Sequence, residues 1–404
     1  MTRRRLLGMT ALLASGGAAA AAEEPRVPKS ILDLALEPAF INTDPGPEYS
    51  DERRDYAMVI GTDRTPKGRI WAAWVAGGDS DLGYFVLGSS DDNGETWSKP
   101  RVAIDPPDAP TGLRRRILVG NLWTDPTGRL WLFYDQSMGY YDGRAGVWAI
   151  ACDNPDADRP AWSAPRRIWH GATLNKPLVL RNGDWLLPIS LWTRDRIGPG
   201  ELRGAFPELD DLRMAHVFVS TDRGATWTRR GGVRFPQTDF DEHMMVELRD
   251  GRIRMLARTT YGIAESFSTD GGRTWSEPIA SEIENTSSRF FLRRLSSGAL
   301  LLVKNGPLNE RIGRAQMTAY LSSDDGKTWG DGLMLDERGG VSYPDGFQAP
   351  DGTIHIIYDR NRAADREILM ARFREEDVAA GRFAADGSRQ KILVSKAYGL
   401  KIAH

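Results

Sequence analysis

From residue 50 onward, short β-branched and aromatic runs alternate with polar punctuation, and the punctuation follows a rule. Six times an apolar run ends at a tight glycine turn and a second apolar run follows: Lys67-Gly68 before Arg69-Ile70-Trp71, Thr127-Gly128 before Arg129-Leu130-Trp131, Asn182-Gly183 before Asp184-Trp185-Leu186. Asp250-Gly251, Ser297-Gly298 and Asp351-Gly352 repeat it before Arg252-Ile253, Ala299-Leu300 and Thr353-Ile354. The run length and the residue types predict hairpins rather than helices. A second signal, Ser-x-Asp-x-Gly-x-Thr-Trp, stands at Ser90 to Trp97, Ser220 to Trp227, Ser268 to Trp275 and Ser322 to Trp329. Its Ser and Asp side chains can bond nearby backbone N–H groups, Gly takes positive φ, and Thr-Trp re-enters a strand. A calcium loop would need alternating acidic ligands and a closing Glu, and that spacing is absent.

Successive turn glycines lie 47 to 68 residues apart, room for about four strands each. Within most units the order is strand, glycine turn, two strands, Asp-bearing turn, and a last strand ending in Ser-x-Pro, as at Ser276-Glu277-Pro278. Such a unit is a four-stranded antiparallel sheet, and radial repetition hides most sheet edges. The fold class is therefore all-β, a six-bladed β-propeller. The second unit has lost the Asp-turn consensus but keeps Trp162-Ser163-Ala164-Pro165, and the sixth is expected to be completed by a strand from elsewhere in the chain. No Pro- or Ser-rich linker divides residues 35–404, so one domain is expected. The stretch 193–213 is its longest loop, placed to overhang a central site.

Composition changes this picture at one place. The chain has 404 residues, a formal charge of −2 and 27% charged residues, which implies neither nucleic acid nor stable membrane insertion. Residues 1–22 depart from that average: Arg3, Arg4 and Arg5 precede a weakly apolar, Ala-rich run broken by Gly8, Thr10 and Ser15. This predicts a signal peptide of the twin-arginine kind and a periplasmic or secreted protein. Cys152 is the only cysteine, which excludes an intrachain disulfide and a thiolate metal cluster and reads as a buried side chain. The five histidines have no metal-ligand spacing, and no cofactor is expected.

In a propeller the innermost strands line the axis, and loops at one end make a pocket. The residues just before the six glycine turns are polar where a core would be apolar: Arg53-Arg54-Asp55, Asn121, Asn175-Lys176, Asp241-Glu242-His243, Ser288-Arg289 and Ser342-Tyr343-Pro344-Asp345. Buried polar groups must pair with each other or with a ligand. Two readings follow, a structural ion-pair network around the axis or a ligand cup in which Arg289, Asn121, Lys176 and Asp345 touch substrate.

The repeated turns resemble the Asp boxes of sialidases over roughly residues 50–375. Several pocket positions are similar as well. Glu242 falls where that family has a Glu opening the inner strand of its fourth blade, and Arg258 where an Arg closes the next strand. Arg314, ahead of Ala319-Tyr320-Leu321 and the box at Ser322, resembles an Arg of the fifth blade, and Tyr343 the Tyr of the last, with Tyr358-Asp359 at an acidic strand end. The first blade departs: the family begins with Arg-Ile-Pro, whereas this chain has Arg54-Asp55-Tyr56-Ala57-Met58, so Arg54 is the weaker match and Arg53 or Arg289 could take its place. For the acid/base Asp before the first box, Asp79 and Asp81 both fit and Asp79 is preferred.

The resemblance implies a retaining exo-glycosidase on a carboxylate-bearing sugar, sialic acid first, held by Arg54, Arg258 and Arg314. Guanidinium groups grip a carboxylate in a bidentate way that lysine cannot imitate. It further implies Tyr343 as nucleophile, Glu242 as the base that activates it and an Asp as acid. Two rivals are a polysaccharide lyase acting on uronic acids, in which Tyr343 or His243 abstracts a proton, and a glycan-binding propeller without turnover. A hydrolase acting on a uronic acid or a neutral sugar, rhamnose among them, is a further alternative. Oligomeric state is not legible.

Overall fold

A computed structural model describes residues 27–238 and 240–399. The signal-peptide expectation at residues 1–22 lies outside the described residues.

The strands form six four-stranded antiparallel sheets and one two-stranded ribbon, Arg115–Arg116 with Ser137–Met138. Their inner strands are Met58–Arg64, Gly120–Thr124, Leu178–Val179, Met244–Glu247, Phe291–Arg294 and Val341–Gln348. All six glycine turns have one geometry. The glycine N–H donates to the carbonyl three residues earlier, as Gly68 to Thr65 and Gly352 to Ala349, both 2.9 Å. The residue at that carbonyl in turn donates to the one after the glycine, Thr65 to Arg69 at 2.9 Å and Ala349 to Thr353 at 2.7 Å. Glycine φ lies between 86° and 104° at these turns, the left-handed corner of a three-residue hairpin with a bulge.

The four Asp-bearing turns join the third and fourth strands and are built alike. At Ser268 to Trp275 the serine hydroxyl donates to Asp270 at 2.8 Å and accepts from the Gly272 N–H at 2.8 Å; the carboxylate also takes the Thr274 N–H and hydroxyl at 2.9 and 2.6 Å. In the second blade Cys152-Asp153-Asn154 takes over this corner. The buried Cys152 thiol lies 3.3 Å from the Asn154 amide oxygen, which also accepts the Ala161 N–H at 2.8 Å.

The sixth blade corrects an expectation. Its fourth strand is Arg389–Lys396, the next one in sequence, paired with Glu367–Phe373. A short helix, Glu375–Ala380, replaces the Asp-bearing turn, and Asp377 ties the corner by accepting from the N–H groups of Arg374, Ala384 and Ala385 and from the Ser388 hydroxyl.

The core lies between neighbouring sheets. Blades two and three meet through Trp123, Trp131, Phe133, Trp185 and Phe218, with Trp123 edge-on to Trp185 at 4.8 Å. Residues 193–213 fold into three 3-10 turns with Leu202, Ala205 and Phe206 buried against blade two. This loop is packed into the wall of the ring. No helix among the described residues is long and apolar enough to cross a membrane.

Candidate active site

Two irregularities in the backbone create the site. In the sixth blade's inner strand the register slips between Ser342, opposite Asp359, and Asp345, opposite Ile357, so Tyr343 and Pro344 face one residue. The bulge holds Tyr343 at φ 55° and turns its ring to the mouth of the axis. Across the ring, Asp241 and Glu242 precede the fourth inner strand at φ 58° and 43°. Three non-glycine residues in left-handed backbone are each strained by about 1–3 kcal/mol, so the surrounding packing over-determines their positions.

This strain brings Tyr343 and Glu242 together. The phenol donates to Glu242 Oε1 at 2.7 Å, and Arg258 Nη1 donates to the same oxygen at 2.7 Å and to the phenol oxygen at 3.2 Å. Glu242 Oε2 is buried with no hydrogen-bond partner. Burial would push the Glu242 carboxyl up, but the Arg258 charge and hydrogen bond, the Tyr343 hydroxyl and Arg289 outweigh it and hold the carboxyl below its usual range. Burial and the Glu242 carboxylate raise the Tyr343 phenol, with Arg258 and Arg362 pulling against them. The proton therefore rests on Tyr343, beside an ionised base.

A small cleft of about 130 Å³ is lined by this group with Asp79, Arg314, Tyr140, Trp192, Phe240, Met58, Leu118 and Val119. Arg314 lies over the Tyr343 ring at 5.5 Å. Arg258 lies over Phe240 at 5.3 Å, and Phe240 is edge-on to Trp192 at 5.0 Å, so one wall is aromatic and the other cationic.

Of the residues expected from sequence, Tyr343, Glu242, Arg258, Arg314 and Asp79 share this cleft. Asp81 does not line it. Arg54 is not there either: its guanidinium is buried against Trp74 at 5.3 Å and bonded to Asp51 and to Ser395, at the outer junction of blades six and one. Asn121, Lys176, Arg289 and Asp345 bond to one another and to neighbouring groups of the inner strands rather than lining the cleft. Lys176 pairs with Asp345 at 3.0 Å and Asp63 at 3.4 Å; Arg289 reaches Asp345 at 3.3 Å, Asn175 at 2.9 Å and the Ile60 carbonyl at 2.8 Å; Asn121 donates to the Asn175 carbonyl at 3.0 Å. Asp345 also accepts the Thr62 N–H at 2.9 Å. His243 is buried and bonded to the His216 carbonyl at 2.8 Å, and burial pushes its ring down to about 4, so it is neutral and outside the cleft.

One charged residue went unread in the sequence. Arg362, just beyond the second strand of blade six, stacks on the Tyr343 ring at 4.0 Å. Its Nε lies 3.1 Å from Asp359, Nη2 is 3.2 Å from the Ser342 hydroxyl, and Nη1 is 3.5 Å from Asp79 Oδ2. The available signal was Asp359, a buried acid at a strand end that needed a cation.

The description "BNR repeat-like domain" matches residues 68–356, most of the chain. This protein belongs to that family. Among the relatives of this BNR-repeat propeller, a sialidase of Paraclostridium sordellii is 25% identical over 323 residues, 70% of this chain and 76% of that one. A sialidase of Micromonospora viridifaciens is 30% identical over 153 residues, 35% of this chain; the match spans 23% of that relative's length. A solved Hadza microbial sialidase superposes with a TM-score of 0.62 at 19% identity, covering 82% of this chain and 67% of its own, which speaks for a shared fold. The BNR-repeat protein is thus a sialidase-like six-bladed propeller.

Proposed function

We propose that this BNR-repeat protein is a retaining, exo-acting glycoside hydrolase of the sialidase type, removing a terminal carboxylate-bearing sugar from glycans, with sialic acid the leading substrate. The observation that carries the reading is the 2.7 Å bond between the Tyr343 phenol and Glu242, beneath Arg258 and across the cleft from Asp79. A carboxylate nucleophile would be repelled by the substrate's own carboxylate; a neutral phenol is not, and sialidases with a Tyr nucleophile are the exception to two-carboxylate glycoside hydrolysis.

In this reading Tyr343 oxygen bonds to the anomeric carbon as the glycosidic C–O bond breaks. Glu242 takes the phenolic proton, and Asp79 acts as the acid that gives a proton to the departing oxygen. Water then bonds to the anomeric carbon and yields a proton to Asp79, while the Tyr343–carbon bond breaks and the phenol regains its proton from Glu242. Two displacements give net retention. Arg258 and Arg314 face the cleft as carboxylate donors. Residues 1–22 are proposed to direct export, so that Arg3, Arg4 and Arg5 changed together to Lys leave the protein in the cytoplasm.

The test is a panel of fluorogenic glycosides of sialic acid, of uronic acids and of neutral sugars, with products inspected for ultraviolet-absorbing unsaturation. Release from the sialoside without unsaturation, lost about a thousandfold or more in Tyr343→Phe, is expected. An unsaturated product, or wild-type turnover in Tyr343→Phe, would overturn the proposal.

A further inference from the structure

Arg362 stands beside the cleft, against Tyr343 and Asp79, which line it. From behind, Asp359 pairs with it as an ion, 3.1 Å from Nε, and the Ser342 hydroxyl accepts from Nη2, while Asp359 is itself fixed, fully buried, accepting the Ser342 hydroxyl at 2.6 Å and the Val59 N–H at 3.1 Å. The Arg362 carbonyl is anchored too, by the Ala57 N–H at 3.0 Å. In front the guanidinium covers the Tyr343 ring, bonds to the Tyr56 side chain and stands 3.5 Å from Asp79, and Asp79 keeps 45% of its side chain exposed where Asp359 keeps none. One edge of the guanidinium is thus built into the fold, and the other is closed by a long, solvent-facing pair that is worth little.

We infer that Arg362, delivered by the sixth blade, is the specificity-determining arginine for the substrate's carboxylate, and that the incoming carboxylate takes the place of Asp79 on its Nη1 edge. This rests on the acid-sugar reading above. Arg54, the first-blade arginine expected from sequence, packs instead against Trp74, and the Ala57 N–H of the same blade holds the Arg362 carbonyl. Arg258, Arg314 and Arg362 then surround one phenol, and Arg362, like Arg258, is held in place before substrate arrives. The exchange also matters for the chemistry, because Asp79 is released from the guanidinium in the same step that places the sugar beside it.

The experiment measures binding of free N-acetylneuraminate and of glucuronate by ligand-observed NMR to the whole protein, in variants checked for native melting. Wild type and Tyr343→Phe are expected to bind one of these acids alike. Arg362→Met should weaken binding by about 10- to 100-fold and Arg362→Lys by about tenfold, as expected for a charged, bidentate donor. Arg54→Met should bind within about twofold of wild type. Asp79→Asn, which removes the competitor, should bind several-fold more tightly. Undiminished binding in Arg362→Met, or weaker binding in Asp79→Asn, overturns the inference while leaving the acid-sugar reading intact. Failure of wild type and Tyr343→Phe to bind either acid overturns both.

Discussion

Arg258 stands 2.7 Å from Glu242 and 3.2 Å from the Tyr343 phenol, while the Arg314 guanidinium makes no hydrogen bond or ion pair among the described residues and only faces the phenol ring. The two cations should therefore fail differently. Removing Arg258 leaves Glu242 buried and uncompensated, so turnover and stability fall together. Arg314→Ala removes a donor to the ligand alone and should raise KM about tenfold or more with kcat changed much less, measured on the fluorogenic sialoside. Asp241, next to Glu242, gives a pH prediction. Burial raises its carboxyl to about 6 against hydrogen bonds from Ser190 and Thr238 and the charge of Arg234, with Glu242 adding to the rise. Because the folded state holds this proton more tightly than the unfolded chain, the protection is complete near pH 4 and is lost as pH rises through 6. A two-unit shift corresponds to about 3 kcal/mol. Asn tolerates left-handed backbone and can still accept from Ser190, so Asp241→Asn should raise the melting temperature at pH 8 and leave it nearly unchanged at pH 4.

At the scale of the element, the corner between third and fourth strands does the organising. Asp270 accepts four hydrogen bonds from Ser268, Arg273 and both donors of Thr274, and Asp270→Ala should lower stability by about 1–3 kcal/mol in urea titration without altering KM. These corners were legible in sequence because the Ser and Asp bonds that shape them join residues no more than four apart; the glycine turns were legible for the same reason. The sixth blade's last strand was not, since a helix and Asp377 occupy that corner in place of the repeated pattern. The same distinction divides the site. Tyr343, Glu242 and Arg258 could be placed because each sits at a repeat position, whereas Arg362 reaches the site through its contact with Asp79, 283 residues away in sequence, and no local pattern announces that pair. Arg54 misled because a motif position was kept in sequence while its side chain turned to another neighbour.

For the whole molecule, the axial network decides integrity. Asp345 holds Lys176, Arg289 and the Thr62 N–H, groups from blades three, five and one. It also stands 2.9 Å from where a Cβ on Gly61 would lie, so the inner strand of blade one comes close only because that residue is glycine. Asp345→Ala leaves two buried cations without this partner and should cost about 3–5 kcal/mol, seen as a lower urea midpoint with the cleft geometry disturbed only secondarily. The sixth sheet's own last strand adds a further consequence. Blades six and one share no ladder, and the seam between them is sealed by side chain and loop: Asp359 to the Val59 N–H, Asp345 to the Thr62 N–H, and Tyr398 and Gly399 to the carbonyls of Asp51 and Arg54. A washer cut at one joint can be cut at any other, so circularly permuted chains opened between two blades should close into the same ring.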